Sequence, residues 1–122
     1  MLFSWRIKVL KNYPTTPKER TLLRIARGII TRIEVKFPPG CAETTHIQIC
    51  RGTHQIYPKN PDGDEASDSE VVMSAEQLEL LTPPYHLVAW TWNTSTDFDH
   101  TLTVRIEVLP KRFTLGGFLT RR

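Results

Sequence analysis

The chain has 122 residues, a usual length for one domain and enough to bury a core without disulfides or metal. Its hydrophobic fraction of 39% and charged fraction of 24% are ordinary for a globular protein. No apolar run approaches the roughly 18 residues of a membrane span, and the first ten residues alternate with charges, which argues against a membrane protein and against secretion by a standard signal.

Charge is spread unevenly along the chain, although its sum is only +3. Residues 1–40 hold nine Lys or Arg against two acids, residues 41–100 hold two against ten, and residues 101–122 hold five against one. Folding could turn this segregation into oppositely charged surfaces, or neighbouring strands could interleave the charges on one solvated surface. Both interpretations stay open at this point.

The two cysteines, Cys41 and Cys50, are too few for a disulfide scaffold. A strand of the intervening length would hold their Cα atoms too far apart to pair. We therefore predict two free, partly buried thiols in a reducing compartment.

Period-two alternation of apolar and polar residues predicts short strands along most of the chain. In the clearest run, alternate residues from Ile29 to Phe37, Thr31 included, are expected to share the buried face. Prolines and turn residues separate the runs, with hard stops at Pro38-Pro39-Gly40 and Pro83-Pro84. Strands are predicted at 3–9, 20–26, 29–37, 45–50, 54–57, 71–73, 77–80 (or a turn of helix), 85–92 and 101–109.

Eight or nine short strands at roughly ten-residue spacing are typical of a sandwich or barrel. We predict a single all-β domain over residues 1–110, an antiparallel β-sandwich with a polar loop at 59–69. Residues 111–122 form a basic C-terminal tail that also carries large apolar side chains, which suit docking on this domain or on a neighbour better than a frayed end. The residues predicted to dock are Phe113, Leu115, Phe118, Leu119, Arg121 and Arg122.

Catalytic and metal-binding motifs are not recognisable in the sequence. No nucleophile elbow, phosphate loop or paired metal-ligand spacing occurs, so we predict neither an enzyme nor a cofactor. Convergence of His46, His86 and His100 across strands, as in metal-binding jelly rolls, is the metal alternative. The acidic stretch 60–70 resembles a calcium loop in composition, but its spacing favours a solvated loop.

Three aromatic residues form a candidate contact patch. Trp90 and Trp92 are expected on the same side of their strand, near Tyr85 and the corner at Pro83-Pro84. Exposed, they could stack on sugar rings; buried, they would belong to a core or a subunit interface, which the composition favours. The basic segments lack an aromatic platform, so specific nucleic-acid binding is not predicted.

Several corner and strand motifs resemble a group of small jelly-roll proteins encoded beside virion genes in tailed phages. The motifs are Gly28-Ile29-Ile30-Thr31-Arg32-Ile33-Glu34-Val35-Lys36-Phe37-Pro38-Pro39-Gly40-Cys41, His54-Gln55-Ile56-Tyr57-Pro58, Asn60-Pro61-Asp62-Gly63, Pro83-Pro84-Tyr85, Trp92-Asn93 and His100-Thr101-Leu102-Thr103-Val104. The resemblance covers about residues 20–110 and implies a jelly-roll-like fold and a capsid decoration (cement) or other virion structural protein. It further implies a homo-oligomer, a trimer above all, bound to the major capsid protein on the capsid surface after assembly in the host cytoplasm.

Two other hypotheses compete with a decoration protein. One is a carbohydrate- or ligand-binding sandwich of a phage tail that uses Trp90, Trp92 and Tyr85, and the other is a cupin-like metalloenzyme that uses the three histidines. Because a sugar platform must be open to water, the exposure of Trp92 separates the first two hypotheses.

Overall fold

The computed structural model describes residues 1–12, 18–41, 44–60 and 63–110. This part of the chain is all β, as predicted, with nine strands and no helix. Where alternation is regular the predicted bounds are close to the observed ones. The strands are β1 (Leu2–Val9), β2 (Glu19–Arg24), β3 (Gly28–Phe37), β4 (Thr45–Arg51), β5 (His54–Tyr57), β6 (Glu65–Ala66), β7 (Glu70–Leu80), β8 (His86–Asn93) and β9 (His100–Leu109).

The strands form two antiparallel sheets. The four-stranded sheet has the order β1-β9-β3-β7, and the five-stranded sheet has the order β2-β8-β4-β5, with β6 paired to β4. From β1 to β4 the chain changes sheet at each step, and it changes sheet again at each step from β6 to β9. As a result, no two consecutive strands pair in the four-stranded sheet.

The core lies between the two sheets and is built from the alternate residues that the pattern predicts. Along β9, Leu102, Val104, Ile106 and Val108 all face inward and are fully buried. They pack in one cluster with residues of the other sheet, such as Leu87 of β8. Burying one such side chain stabilises the fold by about 1.5–3 kcal/mol, so this cluster holds the two sheets face to face.

A β-bulge in β3 corrects the predicted alternation. Its register shifts between Ile30 and Arg32 against both neighbouring strands. Against β9, Thr31 is the extra residue, whereas against β7 Thr31 faces two residues, Glu76 and Gln77. Ile30 consequently takes the buried position, whereas Thr31, predicted to face the core, is half-buried and its hydroxyl donates to the backbone carbonyl of Glu107 at 3.3 Å. The chain also passes close to β9 here, because a Cβ on Gly28 would lie 2.7 Å from the carbonyl oxygen of Leu109.

Strand β7 is one continuous strand of 11 residues, where the sequence predicted two short pieces and a helical turn as an option. Its inward positions include Ser74 and Glu76, which break the apolar alternation. The pairing with β3 shifts its register between Ala75 and Leu78 and continues on both sides of the shift. The short strand β6 lies within the predicted polar loop and was likewise missed.

Other expectations have mixed outcomes. Cys41 and Cys50 are both free, as predicted, with Cys41 buried and Cys50 half-buried. In the part of the chain that the structure describes, no helix is long and apolar enough to cross a membrane. The predicted tail, 111–122, lies outside the described residues.

Candidate functional site

Trp90 and Trp92 lie on the same side of β8, as the sequence predicted. That side is the outer face of the sheet, but Trp92 is not open to water. Only 7% of Trp92 is exposed. The ring of His46, from β4, stacks on it with centroids 5.1 Å apart and planes within 2°, and the ammonium of Lys18 lies 4.7 Å from its centroid. Trp92 therefore lacks the free ring face that a sugar platform requires.

The other two members of the predicted aromatic patch are less buried. Trp90 is half-buried between register partners Arg20 on β2 and Gln48 on β4. Tyr85 precedes β8, and its backbone carbonyl accepts a hydrogen bond from Ile25 at 3.0 Å. The structure thus brings Trp90 and Trp92 to one face of the sheet. Of these two tryptophans, only Trp90 is partly accessible to water.

A hydrogen-bond network fixes the loop after β5 over this outer face. Lys18 Nζ donates to Gln48 Oε1 at 2.8 Å, and Gln48 Nε2 donates to the carbonyl of Gly63 at 2.6 Å. Gln55 Nε2 donates to the same carbonyl at 2.9 Å, and His46 Nδ1 contacts the carboxylate of Asp64. Because each group has a protein partner, the arrangement is that of a packed surface, with its polar groups satisfied internally.

The three histidines of the metal alternative are not brought together. His46 and His86 lie on the outer face of the five-stranded sheet near opposite ends of β8, whereas His100 begins β9 in the other sheet and is buried. Within the described residues, no group of three or more His, Cys, Asp or Glu side chains could hold a metal ion.

The acidic stretch 60–70 has protein partners where the structure describes it. Asp64 contacts His46, Asp68 accepts a hydrogen bond from the backbone of Gly40 at 2.9 Å, and the hydroxyl of Ser67 donates to Glu70. The three carboxylates contact three different places, namely β4, the corner at Gly40 and Ser67, so they do not converge as calcium ligands do.

A cleft opens along one side of the molecule, between the sheet edges β5 and β7. Its volume is about 210 Å³, and it is lined by His54, Gln55, Ile56, Lys59, Glu76 and Leu78. Lys59 bridges the two edges, with its Nζ 2.9 Å from Glu76 Oε1. The Glu76 side chain is only 3% exposed and also accepts a hydrogen bond from Ser74. The cleft is small, and both partners of this ion pair line it.

Tyr57 lies buried near this cleft with a hydroxyl that has no hydrogen-bond partner. Burial, and then the carboxylates of Glu65 and Glu76, raise the pKa of this hydroxyl. Burial, followed by Glu70 and Asp64, also raises the pKa of Glu65. A phenol that keeps its proton is a hydrogen-bond donor and not a nucleophile, so the chemistry available here is polar contact.

The feature that the sequence did not single out is the free side of β7. Among the described residues β7 pairs only with β3, so its other side is the edge of the four-stranded sheet. Two apolar side chains on this edge are strongly exposed, Val71 at 49% and Met73 at 58%. Their i, i+2 spacing places both side chains on one face of the strand. The sequence Val71-Val72-Met73 contains this spacing, and it would have indicated a shared face if β7 had been predicted as a single long strand.

The predicted docking residues of the tail lie outside the described residues. Comparison of the chain with known protein families, curated proteins and solved structures gave no match.

Proposed function

We propose that the chain is a non-enzymatic virion structural protein that assembles as a homo-oligomer, a trimer above all, and decorates the surface of a phage capsid by binding the major capsid protein. The observation that carries this proposal is the β7 edge, defined here as the side of β7 that pairs with no other described strand and that carries exposed Val71 and Met73. Monomeric β-sheet proteins protect their edge strands by short length, charged side chains or proline. They do so because the unpaired backbone groups of an open edge can pair with another chain. An edge of 11 residues with two exposed apolar side chains suits a protein that is used in assembled form.

The strand order supports a jelly roll as the fold behind this role. With the short β6 set aside, eight strands divide equally between two sheets, and the connections cross from one sheet to the other at nearly every step. Jelly rolls have eight strands in two such sheets, and they occur in viral capsid and lectin domains and in cupins. Since one fold serves several functions, the choice among these rests on the sites.

The sites favour assembly over the two alternatives. Sugar binding needs an open aromatic ring, and Trp92 is covered by His46 and Lys18. A cupin-like centre needs converging ligands, and His46 and His100 belong to different sheets. The exposed apolar side chains of β7 are what these two alternatives leave unexplained.

The proposal is tested by locating the protein in virions. Antibodies against the purified chain are expected to label the heads of particles produced by the strain that encodes it, and light scattering of the recombinant chain is expected to give a multiple of 14.1 kDa. Label confined to the cell fraction with unlabelled particles, or a chain that stays monomeric at all concentrations, would contradict the proposed function.

A further inference from the structure

We propose that the β7 edge accepts, as an added antiparallel strand, the C-terminal segment 111–122 of a second copy of the chain. The inference rests on the proposed homo-oligomeric function and names the contact that builds the oligomer. An extended segment that joins an open sheet edge gains a row of backbone hydrogen bonds, and its side chains supply the specificity. The segment has 12 residues, which is long enough to run beside the part of β7 that carries Val71 and Met73.

Charge favours this segment over a second β7 as the occupant. Residues 63–80, which contain β7 and the approach to it, hold six acidic side chains and no Lys or Arg. The C-terminal segment holds four basic side chains and no acid. Pairing two β7 edges would place acid against acid, whereas pairing β7 with the C-terminal segment joins opposite charges.

The apolar side chains of donor and acceptor also have matching spacing. Phe113 and Leu115 are two residues apart, as are Val71 and Met73. In a strand such residues share a face, and directly opposed side chains have Cβ atoms about 4.5–5.5 Å apart. An added strand can therefore cover the two exposed residues of β7 with Phe113 and Leu115.

Reach excludes the chain's own Phe113 and Leu115 as the partners of Val71 and Met73. Leu109 ends β9 opposite Ile29 on β3, two strands from β7. Strands lie about 4.8 Å apart, so a chain leaving β9 crosses about 14 Å, or roughly four residues, before it can run beside β7. It would arrive next to Leu80 and need about seven more residues to reach Met73. Phe113 and Leu115 of the same chain therefore cannot meet Val71 and Met73, whereas those of a neighbour can.

Donation from one copy to the next is a head-to-tail contact, which forms a closed ring when the rotation between copies allows it. This geometry is consistent with a trimer. It also predicts complementation, because a chain with a damaged acceptor keeps an intact donor.

The test uses two full-length variants. Val71→Lys with Met73→Lys impairs the acceptor, since lysines on an edge oppose strand addition, and Phe113→Ser with Leu115→Ser impairs the donor. Light scattering is expected to show that each variant alone self-associates about tenfold more weakly than the wild type. An equimolar mixture is expected to form a complex of two chains and nothing larger, because the first variant donates to the intact edge of the second.

Leu2→Lys is the matched control. Leu2 has the same exposed fraction as Met73, 58%, and lies on β1, at the opposite edge of the same sheet. It should leave self-association unchanged. The inference would be overturned if the acceptor variant self-associated as strongly as the wild type. It would also be overturned if Leu2→Lys weakened self-association as much as the acceptor substitutions do.

Cross-linking provides a second measurement if the lysine variant does not fold, which circular dichroism would show. Full-length chains with Met73→Cys and with Phe113→Cys, which the antiparallel register places opposite each other, are mixed under mild oxidation and are expected to give disulfide-linked pairs of one of each. Absence of that product overturns the inference. A wild-type chain that never associates contradicts the proposed function as well, whereas an assembling chain that is indifferent to the β7 substitutions contradicts only the inference.

Discussion

His46 and Trp92 are cross-strand partners on β4 and β8, and their rings stack with planes within 2°. Lys18, which directly precedes β2, contacts the same indole and also donates to Gln48. Trp92 thus ties three strands of the five-stranded sheet together on the face away from the core.

We predict that Trp92→Ala lowers the free energy of unfolding by about 2–4 kcal/mol, because a large, nearly buried ring and its contacts are lost. Trp90→Ala is the matched control, since Trp90 lies on the same face and is half-buried, and its cost should be clearly smaller. Urea denaturation followed by circular dichroism measures both. An equal cost for the two substitutions would contradict the packing role assigned to Trp92.

Simple alternation would bury Thr31 and expose Ile30, whereas the bulge in β3 predicts that Ile30 matters more for stability than Thr31. Ile30→Ala is expected to destabilise the protein by about 2–5 kcal/mol because Ile30 is fully buried. Thr31→Ala is expected to cost less than about 1 kcal/mol, since it removes one half-buried hydroxyl with long hydrogen bonds. The same denaturation measurement tests both substitutions. A larger loss of stability for Thr31→Ala than for Ile30→Ala would show that the bulge lies elsewhere.

Tyr57→Phe tests the buried phenol. In the unfolded chain this group loses its proton near pH 10, whereas the raised pKa keeps it protonated in the folded chain, so wild-type stability falls as pH rises above about 10. The substitution should reduce that fall. At pH 7 it should change stability by less than about 1 kcal/mol, because the lost hydroxyl has no partner. Unfolding free energies at pH 7 and above pH 10 provide the check, and an unaltered alkaline fall would refute the assignment.

Glu65→Gln tests the crowded carboxylates beside β6. A raised pKa means that the folded chain holds this proton more tightly than the unfolded chain, so the contribution of Glu65 to stability decreases as pH rises from about 4. The neutral isostere should therefore be more stable than the wild type at pH 7, and the gain should vanish near pH 3, where both states are protonated. Thermal unfolding at the two pH values measures the difference; a loss of stability at pH 7 would show that the charge is favourable.

Much of the fold was predictable because it depends on local alternation. The inward series Leu102–Val108 and the strand His54–Tyr57 follow from side-chain period alone. The bulge at Thr31 could not be predicted, because it depends on how β3 pairs with β7 and β9 together. Likewise, the polar residues Ser74 and Glu76 at inward positions made β7 look like two short strands in the sequence. Its continuity depends on pairing with β3.

The candidate sites were harder to predict than the strands, because burial on an outer face depends on distant segments. The common side of Trp90 and Trp92 follows from their spacing. The cover on Trp92 comes from His46 and Lys18, which are far away in sequence and meet only through the order β2-β8-β4. The exposure of Met73 likewise depends on β7 being the last strand of its sheet.

The position of β9 between β1 and β3 has a consequence for how the protein is made. β1 pairs only with β9 among the described strands, so the first of these nine strands to be synthesised cannot pair until the last of them has been made. Such long-range pairing makes folding slow, because the entropy of closing a long loop is lost before the contacts form. We therefore expect the four-stranded sheet to be completed slowly, and only once β9 has been synthesised.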